Sequence, residues 1–318
     1  MNPRKLLFKT LGLALNAASY VNPRWTARRT FQLFGTPPKP NIRPKDQAFL
    51  DTGRREDLDF RGKRIVVYSW GPEAGPVVFC AYGWGYNAGR WRHYVPALVE
   101  AGYRVVAFDP LGHGHATYAH LNYPLCVAQT EQVLRHVGGA DLALAHSFGG
   151  GCLVEALGNL PVELRPRRGV FMAVFSEVRW IFMVFVRSLG LRDTIFRYME
   201  EYVEQLTGRN LDEFDVAVNS SKLTEMETLL IHDPEDTVTG YRNARRNHSH
   251  WRGSALYAPR GAGHHLGTAG VTKVVLNFLI EGKLPQDVSR NEGDMEPMAA
   301  ILEDEDLAVS GGVSDYYE

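Results

Sequence analysis

The chain has 318 residues, of which 45% are hydrophobic and 22% are charged, and its formal net charge is −1. This length allows one large α/β domain with appendages, and the composition is that of a globular protein with ample material for a core. A charge so close to zero gives no reason to expect a nucleic-acid partner. Three cysteines do not make a disulfide framework, so we expect free thiols and a reducing, cytoplasmic compartment.

The two ends differ from the body in charge. Residues 1–45 contain nine basic residues and no acidic one, whereas residues 286–318 contain ten acidic residues and a single base, Arg290. We interpret residues 1–45 as a basic amphipathic extension with a proline-rich linker and residues 46–285 as the folded domain. Residues 286–318 are predicted to be an acidic disordered tail.

The N-terminal extension has two basic segments joined at Asn22-Pro23. Lys9 and Asn16 interrupt the first apolar stretch, which is therefore too short to span a bilayer. Three interpretations remain open. The segments pack on the domain's own surface, or they make peripheral contact with an anionic membrane through residues 1–34, or the first segment is a signal peptide.

The body alternates apolar strand-like runs with helical patterns. Such alternation predicts an α/β fold with a mostly parallel central sheet and helices on both faces. The first two strands are expected to form an antiparallel hairpin across the turn at 71–75. The predicted strands are 64–70, 76–82, 104–109, 141–146, 169–175, 228–232 and 255–258, and the predicted helices are 91–101, 124–137, 151–159 and 271–280.

An insertion at about 176–215 breaks this alternation, because it carries helical patterns and no strand signal. Its position after a strand is where a small helical cap would cover an active site. The bulky apolar residues at 178–186 fit the lining of a lipophilic substrate pocket. They fit equally well the packing of the cap against the core.

A strand-turn-helix pattern surrounds Ser147. An apolar run leads through His146 to Ser147, and Phe148 and three glycines follow before a second apolar run begins. Small residues on both sides of a serine allow a strand and a helix to approach closely and force the serine into a strained, exposed turn. The pattern predicts a nucleophile elbow with Ser147 as the nucleophile.

A serine nucleophile needs a base, and the base needs an acid that orients it. The acid is expected in the loop after the strand 228–232, at the carboxyl edge of the sheet. We choose Asp236 over Asp233 and Glu235, because a tight turn through Asp233-Pro234 would bring Asp236 back over the sheet. Glu177, after another strand, is a weaker alternative, and a solvated carboxylate loop without catalytic function is also compatible with the pattern.

The base is expected in the glycine-framed loop after the last strand. His264 is preferred because it directly follows Gly263, whereas His265 would project the other way. Histidine pairs also suggest metal ligands, but no pair has third and fourth ligands at usable spacing, so we expect no metal and no cofactor. The pairs are His264 with His265, His248 with His250, and His113 with His115.

An oxyanion hole would complete the site with two backbone N–H groups. One is expected from Phe148, directly after the nucleophile. The other is expected from Trp84, in the glycine-containing loop after the strand 76–82. Without a nucleophile at Ser147, the same loop would be an ordinary glycine turn.

These motifs together resemble the α/β-hydrolase superfamily, over roughly residues 60–283. Tyr82-Gly83-Trp84 stands where the family has His-Gly-x, residues 109–114 match its D-x-x-G-x-G turn, and residues 146–150 match its elbow with Ala145 in place of the first glycine. Asp236 matches the family's acid, and Gly263-His264 match its base. A serine at the elbow is unlike the carboxylate nucleophile of haloalkane dehalogenases and typical epoxide hydrolases.

The resemblance implies an esterase- or lipase-like serine hydrolase that cleaves a small-molecule carboxylic ester through an acyl-enzyme. In this scheme Ser147 attacks, His264 carries the proton, Asp236 orients His264, and the N–H groups of Trp84 and Phe148 hold the oxyanion. The alternative is a non-hydrolytic use of the fold, as a cofactor-free lyase, a peroxidase-like enzyme or a binding protein. The identity of the substrate, its chain length and the oligomeric state do not follow from the sequence.

Overall fold

The computed structural model describes residues 3–293, and it contains a mixed, mostly parallel sheet in the order β1-β2-β4-β3-β5-β6-β7-β8-β9. Neighbouring strands from β4 through β3 to β8 are parallel, and β1, β2 and β9 are antiparallel to their neighbours at the two edges. The strands are β1 (Arg54–Phe60), β2 (Lys63–Trp70), β3 (Val77–Ala81), β4 (Arg104–Asp109), β5 (Leu142–His146), β6 (Arg168–Met172), β7 (Glu227–Ile231), β8 (Ser254–Tyr257) and β9 (Val288–Arg290).

Helices cover both faces of the sheet, as the alternating pattern predicted. The helices of the described chain are α1 (Pro3–Val21), α2 (Pro23–Phe34), α3 (Pro44–Leu50), α4 (Val95–Glu100), α5 (Tyr123–Val137), α6 (Ser147–Asn159), α7 (Val178–Ser188), α8 (Asp193–Thr207), α9 (Val216–Ser220), α10 (Arg242–His250) and α11 (Ala269–Glu281). The predicted α/β fold is therefore confirmed. Short 3₁₀ helices occur at Ala88–His93, Val162–Leu164 and Leu211–Glu213.

The central strands are buried on both faces. In β5, Ala143 and Ala145 pack on one side of the sheet and Leu142 and Leu144 on the other, and all four are fully buried. Successive side chains of a strand point to opposite faces, so a strand between two helical layers needs a continuous apolar run. This double burial fixes the position of the carboxyl end of β5, where Ser147 follows.

The predicted hairpin between the first two strands is wrong. The strand β2 pairs with β1 and β4, and β4 separates β2 from β3. The true hairpin joins β1 to β2. The residues Arg54-Arg55-Glu56-Asp57 of β1 are exposed because β1 is the edge strand, so β1 carries little apolar signal, and its partnership with β2 went unpredicted.

The predicted disordered tail begins too early. Residues 288–290 form β9, which pairs antiparallel with β8 and covers that edge of the sheet. Asn291 is buried, and its side-chain amide donates to the carbonyl of His248 at 2.6 Å. Backbone pairing with β8 and the buried side chain of Asn291 hold this segment. The remainder of the predicted tail, residues 294–318, lies outside the described residues.

The insertion forms a helical cap of α7 and α8, closed by an isolated bridge between Glu177 and Asp215. The extension packs against this cap. The ring of Phe31 on α2 lies edge-on to Tyr202 of α8 with centroids 5.3 Å apart, and Phe34 contacts Phe182 of α7 at 4.5 Å. Of the three interpretations of the extension, packing on the protein's own surface therefore applies to α2.

The helix α1 also meets the cap. Its Asn16 donates to the carbonyl of Gly190 at 2.8 Å and accepts from the amide of Arg192 at 3.0 Å. A side chain at Gly12 would overlap the backbone of Leu189, so this close approach requires a glycine. Among residues 3–293, none of the helices combines the length and the apolar character needed to cross a membrane.

Candidate active site

Ser147 lies where β5 ends and α6 begins, and its backbone is in the left-handed region with φ +50°. A non-glycine residue in that region is strained, and such strain is held only where the surrounding packing enforces it. The packing is visible at Gly149, where any side chain would overlap the carbonyl of Tyr82. The predicted strand-turn-helix geometry at Ser147 is present.

A hydrogen-bonded chain joins Ser147, His264 and Asp236. The Oγ of Ser147 is 3.1 Å from Nε2 of His264, and Nδ1 of His264 is 2.8 Å from Oδ2 of Asp236. Because a carboxylate only accepts, Nδ1 carries the proton and Nε2 is the acceptor that faces the serine hydroxyl. Asp233 and Glu235 do not take this place, and Glu177 lies beside Arg246 in the cap closure.

Asp236 is held as a carboxylate. Burial alone would raise its pKa, but the hydrogen bonds and electrostatic interactions with His232 and His264 outweigh burial, so the pKa of Asp236 lies well below its usual value. Its Oδ1 also accepts from the amides of Val238 and Thr239, at 2.7 and 3.0 Å. A carboxylate with this many donors stays ionised and stays in one orientation.

Asp233 and His146 position the loop that carries His264. Oδ2 of Asp233 accepts from the amides of Ala262 and Gly263, both at 2.6 Å. Nε2 of His146 donates to the carbonyl of His264 at 2.9 Å, and burial followed by the charge of Arg90 holds the pKa of His146 well below its usual value. Sequence reasoning missed this role of His146, because its hydrogen-bond partner lies on a loop far along the chain.

The expected oxyanion donors flank Ser147. The amide of Phe148 is in the first turn of α6, where N–H groups have no partner within the helix. Gly83 precedes Trp84, and a side chain at Gly83 would come within 3.0 Å of Cβ of Ser147. The rings of Trp84 and Phe148 are in edge contact at 5.2 Å.

The loop of Trp84 is tied to the turn after β4. The hydroxyl of Tyr82 donates to Oδ1 of Asp109 at 2.8 Å, so the tyrosine that replaces the family's histidine still anchors the loop. The amide of Gly85 donates to Nε2 of His113 at 2.9 Å, while Nδ1 of His113 donates to the carbonyl of Leu111 at 3.1 Å. Burial lowers the pKa of His113 to about 4. His113 is therefore a neutral positioning group, a role that its sequence context did not indicate.

The other histidines have separate partners. His248 contacts Ser254 and Ser289, and Nδ1 of His115 contacts the hydroxyl of Tyr68 at 2.7 Å. In the part of the chain that the structure describes, no three side chains of His, Cys, Asp or Glu are grouped so as to hold a metal ion. The rings of His264 and His265 have centroids 6.1 Å apart, and Arg90 donates to the backbone carbonyl of His265 at 2.7 Å.

An apolar cavity of about 70 Å³ opens on Ser147 beneath the cap. Helix α7 supplies Trp180, Ile181, Val184 and Phe185, and α2 supplies Phe34. The insertion residues thus line a pocket as well as packing the cap. The only part of the extension on this lining is Phe34, among the described residues.

A sheet in this order, with a serine elbow and a histidine and an aspartate on the following loops, is the arrangement of the α/β hydrolases. Residues 77–300 match the family model described as "Alpha/beta hydrolase family", so the chain belongs to this family.

Relatives in the family have several activities. A non-heme chloroperoxidase of Kitasatospora aureofaciens is 36% identical over 101 residues, which is 31% of this chain and 36% of that protein. A monoacylglycerol lipase of Mycolicibacterium smegmatis is 33% identical over 112 residues, covering 32% of this chain and 40% of the lipase. These matches span well under half of either relative.

The fold is similar to that of many solved structures. An esterase from Exiguobacterium antarcticum superimposes with a TM-score of 0.54 at 18% identity, covering 69% of this chain and 96% of that chain. At this identity the similarity concerns the fold alone. The family is therefore established, and the activity and substrate have to be argued from the site.

Proposed function

We propose that the protein is a serine hydrolase that cleaves a carboxylic ester or related acyl bond through an acyl-enzyme intermediate. The observation that carries the proposal is the continuous chain of hydrogen bonds from Ser147 through His264 to Asp236, with the apolar cavity opening on the serine. A nucleophile, a base and an orienting acid in this geometry are the components that acyl transfer needs.

In the first step, Oγ of Ser147 attacks the carbonyl carbon of the ester while Nε2 of His264 takes the hydroxyl proton. Asp236 keeps the proton on Nδ1 and stabilises the imidazolium that forms. The amides of Phe148 and Trp84 donate to the developing oxyanion, and each such donor is worth about 3 kcal/mol of transition-state stabilisation.

In the second step, the C–O bond to the alcohol breaks and His264 gives its proton to the departing oxygen. The acyl group remains on Ser147, with its chain in the apolar cavity. Water then attacks the acyl-enzyme with His264 again as the base, which releases the acid and restores the serine hydroxyl.

Labelling with a fluorophosphonate probe tests the proposal. Wild-type protein should be labelled at Ser147 and should hydrolyse p-nitrophenyl butyrate. Ser147→Ala should lose the label and lower kcat/KM by on the order of 10⁴-fold or more. Ser221→Ala is the matched control, because Ser221 is exposed and its hydroxyl only donates to the carbonyl of Val218. Labelling of Ser147→Ala at the wild-type level would refute the nucleophile assignment.

The second candidate is a peroxidase-like activity, suggested by the similarity to a non-heme chloroperoxidase. The same acyl-enzyme would then react with hydrogen peroxide in place of water. The peroxide oxygen would bond to the acyl carbon, the bond to Ser147 would break, and a peracid would leave. Peracid formation from an ester and hydrogen peroxide, measured beside hydrolysis, decides between the hydrolase and the peroxidase-like activity. The serine at the elbow disfavours a third activity, the epoxide hydrolysis of other relatives.

We also propose that the extension makes peripheral contact with membranes. The outer face of α1 exposes Leu6, Leu13 and Tyr20, although the inner face packs on the cap. Residues 1–45 carry only basic charges, which favours an anionic lipid surface.

The three cysteines are free and buried, which supports a reducing, cytoplasmic compartment.

A further inference from the structure

A second and larger cavity, which we call the basic groove, shares the lining residue Trp84 with the apolar cavity. Its volume is about 710 Å³. The extension and the linker form one wall, with Leu7, Phe8 and Lys39, and the loops after β3 and β8 form the other, with Arg90 and His265. The proposed hydrolytic mechanism makes no use of this cavity.

The groove has an excess of positive charge. Among the residues of the described chain that line it, Lys39, Arg43, Arg90 and Arg92 are cationic, and Asp46 is the one carboxylate. Asp46 is fully buried and is shared by Arg43 at 2.8 Å and Arg92 at 2.9 Å. One carboxylate therefore faces two guanidinium groups, so neither Lys39 nor Arg90 is neutralised by it.

Arg90 is the cation of the groove that lies nearest to the reacting groups. Its Nε is buried without a hydrogen-bond partner in the described residues, and its Nη2 donates to a backbone carbonyl. Burial lowers the pKa of Arg90 to about 10, which leaves the side chain charged at neutral pH. Arg90 is half-buried, and its buried, unused Nε–H donor has a desolvation cost that an anionic ligand would offset.

The groove reaches the nucleophile. A small recess beside Ser147 and His264 is lined by Trp84, Tyr86, Arg90 and His265, and these four residues also line the basic groove. Ser147 lines both this recess and the apolar cavity. An ester carbonyl at Ser147 would therefore have an apolar cavity on one side and a cationic groove on the other.

We propose that the basic groove binds the leaving half of the substrate and that this half carries an anionic group, a phosphate or a carboxylate. The inference rests on the proposed hydrolase function and specifies its substrate class: an ester with an apolar acyl group and an anionic alcohol. When the C–O bond breaks, the alcohol oxygen takes its proton from His264, and the anionic alcohol leaves along the groove.

Matched pairs of butyryl esters test the proposal. The phosphate pair is butyryl-glycerol phosphate and butyryl-glycerol, and the carboxylate pair is 4-butyryloxybenzoate and its methyl ester. In each pair the measured quantity is the ratio of kcat/KM for the anionic ester to kcat/KM for the neutral one. Taking this ratio relative to wild type removes differences in the intrinsic reactivity of the two esters.

The variants are Arg90→Gln and Lys39→Gln, with Lys63→Gln as control, because Lys63 is an exposed cation on β2 outside the groove. Each groove variant should lower the ratio about tenfold in at least one pair, and the control should leave it at the wild-type value. The pair with the larger fall identifies phosphate or carboxylate. In wild type, added salt should lower kcat/KM for the anionic ester more than for the neutral one.

Ratios equal to wild type in both pairs for both groove variants would overturn the inference. If Arg90→Gln disturbs the His264 loop, both esters of a pair are affected together, and the exposed Lys39→Gln variant decides. Failure of the hydrolase proposal is distinguishable, since wild type would then show neither fluorophosphonate labelling nor turnover of any ester.

Discussion

His113 is a buried base that must remain neutral to do its work. Its Nε2 has to accept from the amide of Gly85, and a proton on Nε2 would place two N–H donors face to face. Protonation of His113 would therefore break the hydrogen bond that holds the loop carrying Trp84. Acid conditions therefore act on the fold through a residue that touches no substrate.

We predict that the free energy of unfolding falls as the pH is lowered from 6.5 to 4. The pKa of His113 is lowered from 6.5 to about 4 in the folded state, so over this range the unfolded chain binds a proton that the folded chain does not. The stabilisation is complete above pH 6.5, and His113 can account for at most about 3 kcal/mol of the loss.

Urea titrations of wild type and His113→Gln at several pH values measure this slope. The variant should lose part of the pH dependence, and a double variant with His248→Gln should lose more, since burial also lowers the pKa of His248 to about 4. An unchanged slope in His113→Gln would show that the histidine does not titrate as argued.

Local sequence signals were sufficient to choose the residues of the site. Ser147, Asp236 and His264 each follow an apolar strand run and stand beside a turn residue, so their positions at one sheet edge could be predicted; their catalytic roles stay predictions. The roles of His113 and His146 could not be predicted, because the hydrogen-bond partner that fixes a histidine's tautomer comes from a distant loop.

At the scale of elements, helix α7 limits the size of the apolar cavity beside Ser147. The cavity of about 70 Å³ is about half the size of an engineered 150 Å³ cavity that binds benzene. Only a short acyl chain fits without displacement of α7 or α2. We therefore expect p-nitrophenyl acetate and butyrate to be better substrates than the octanoate.

Shortening a side chain of α7 should change this preference. Val184→Ala enlarges the cavity, so the ratio of kcat/KM for the octanoate to that for the butyrate should rise roughly threefold to tenfold, in line with one or two methylene contacts. Val186→Ala is the matched control, because Val186 is buried on the same helix but does not line the cavity. The same change of ratio in both variants would contradict the assignment.

Strand order was the part of the fold that sequence could not supply. Each strand run is recognisable by itself, but the insertion of β4 between β2 and β3 depends on pairings between residues far apart in the chain. The edge strands β1 and β9 were missed for a related reason, since strands held by backbone pairing at an edge need few apolar residues.

At the scale of the molecule, the extension has two different faces. Its inner face holds the cap through Phe31 and Phe34, and its outer face exposes apolar residues that nothing in the described chain covers. The sequence pattern of the extension was compatible both with packing on the cap and with membrane contact, because each would use a different side of the same helices.

Co-sedimentation with vesicles tests the outer face. Wild type should bind phosphatidylglycerol vesicles more strongly than phosphatidylcholine vesicles, and the double variant Leu6→Gln with Leu13→Gln should reduce the bound fraction by roughly tenfold. Val162→Gln with Val218→Gln is the control, because these side chains are also exposed and apolar but lie outside the extension. Equal losses in the two double variants would argue against a specific docking face.

Phe34 has a consequence for comparisons within the family. The family match begins at residue 77, so Phe34, which lines the apolar cavity, belongs to a segment that the match does not include. Two members with identical residues around the serine can then differ in selectivity through their flanking helices alone. A chain cut back to residue 77 would lose Phe34 together with the strands β1 and β2, so it would not be a minimal version of this protein.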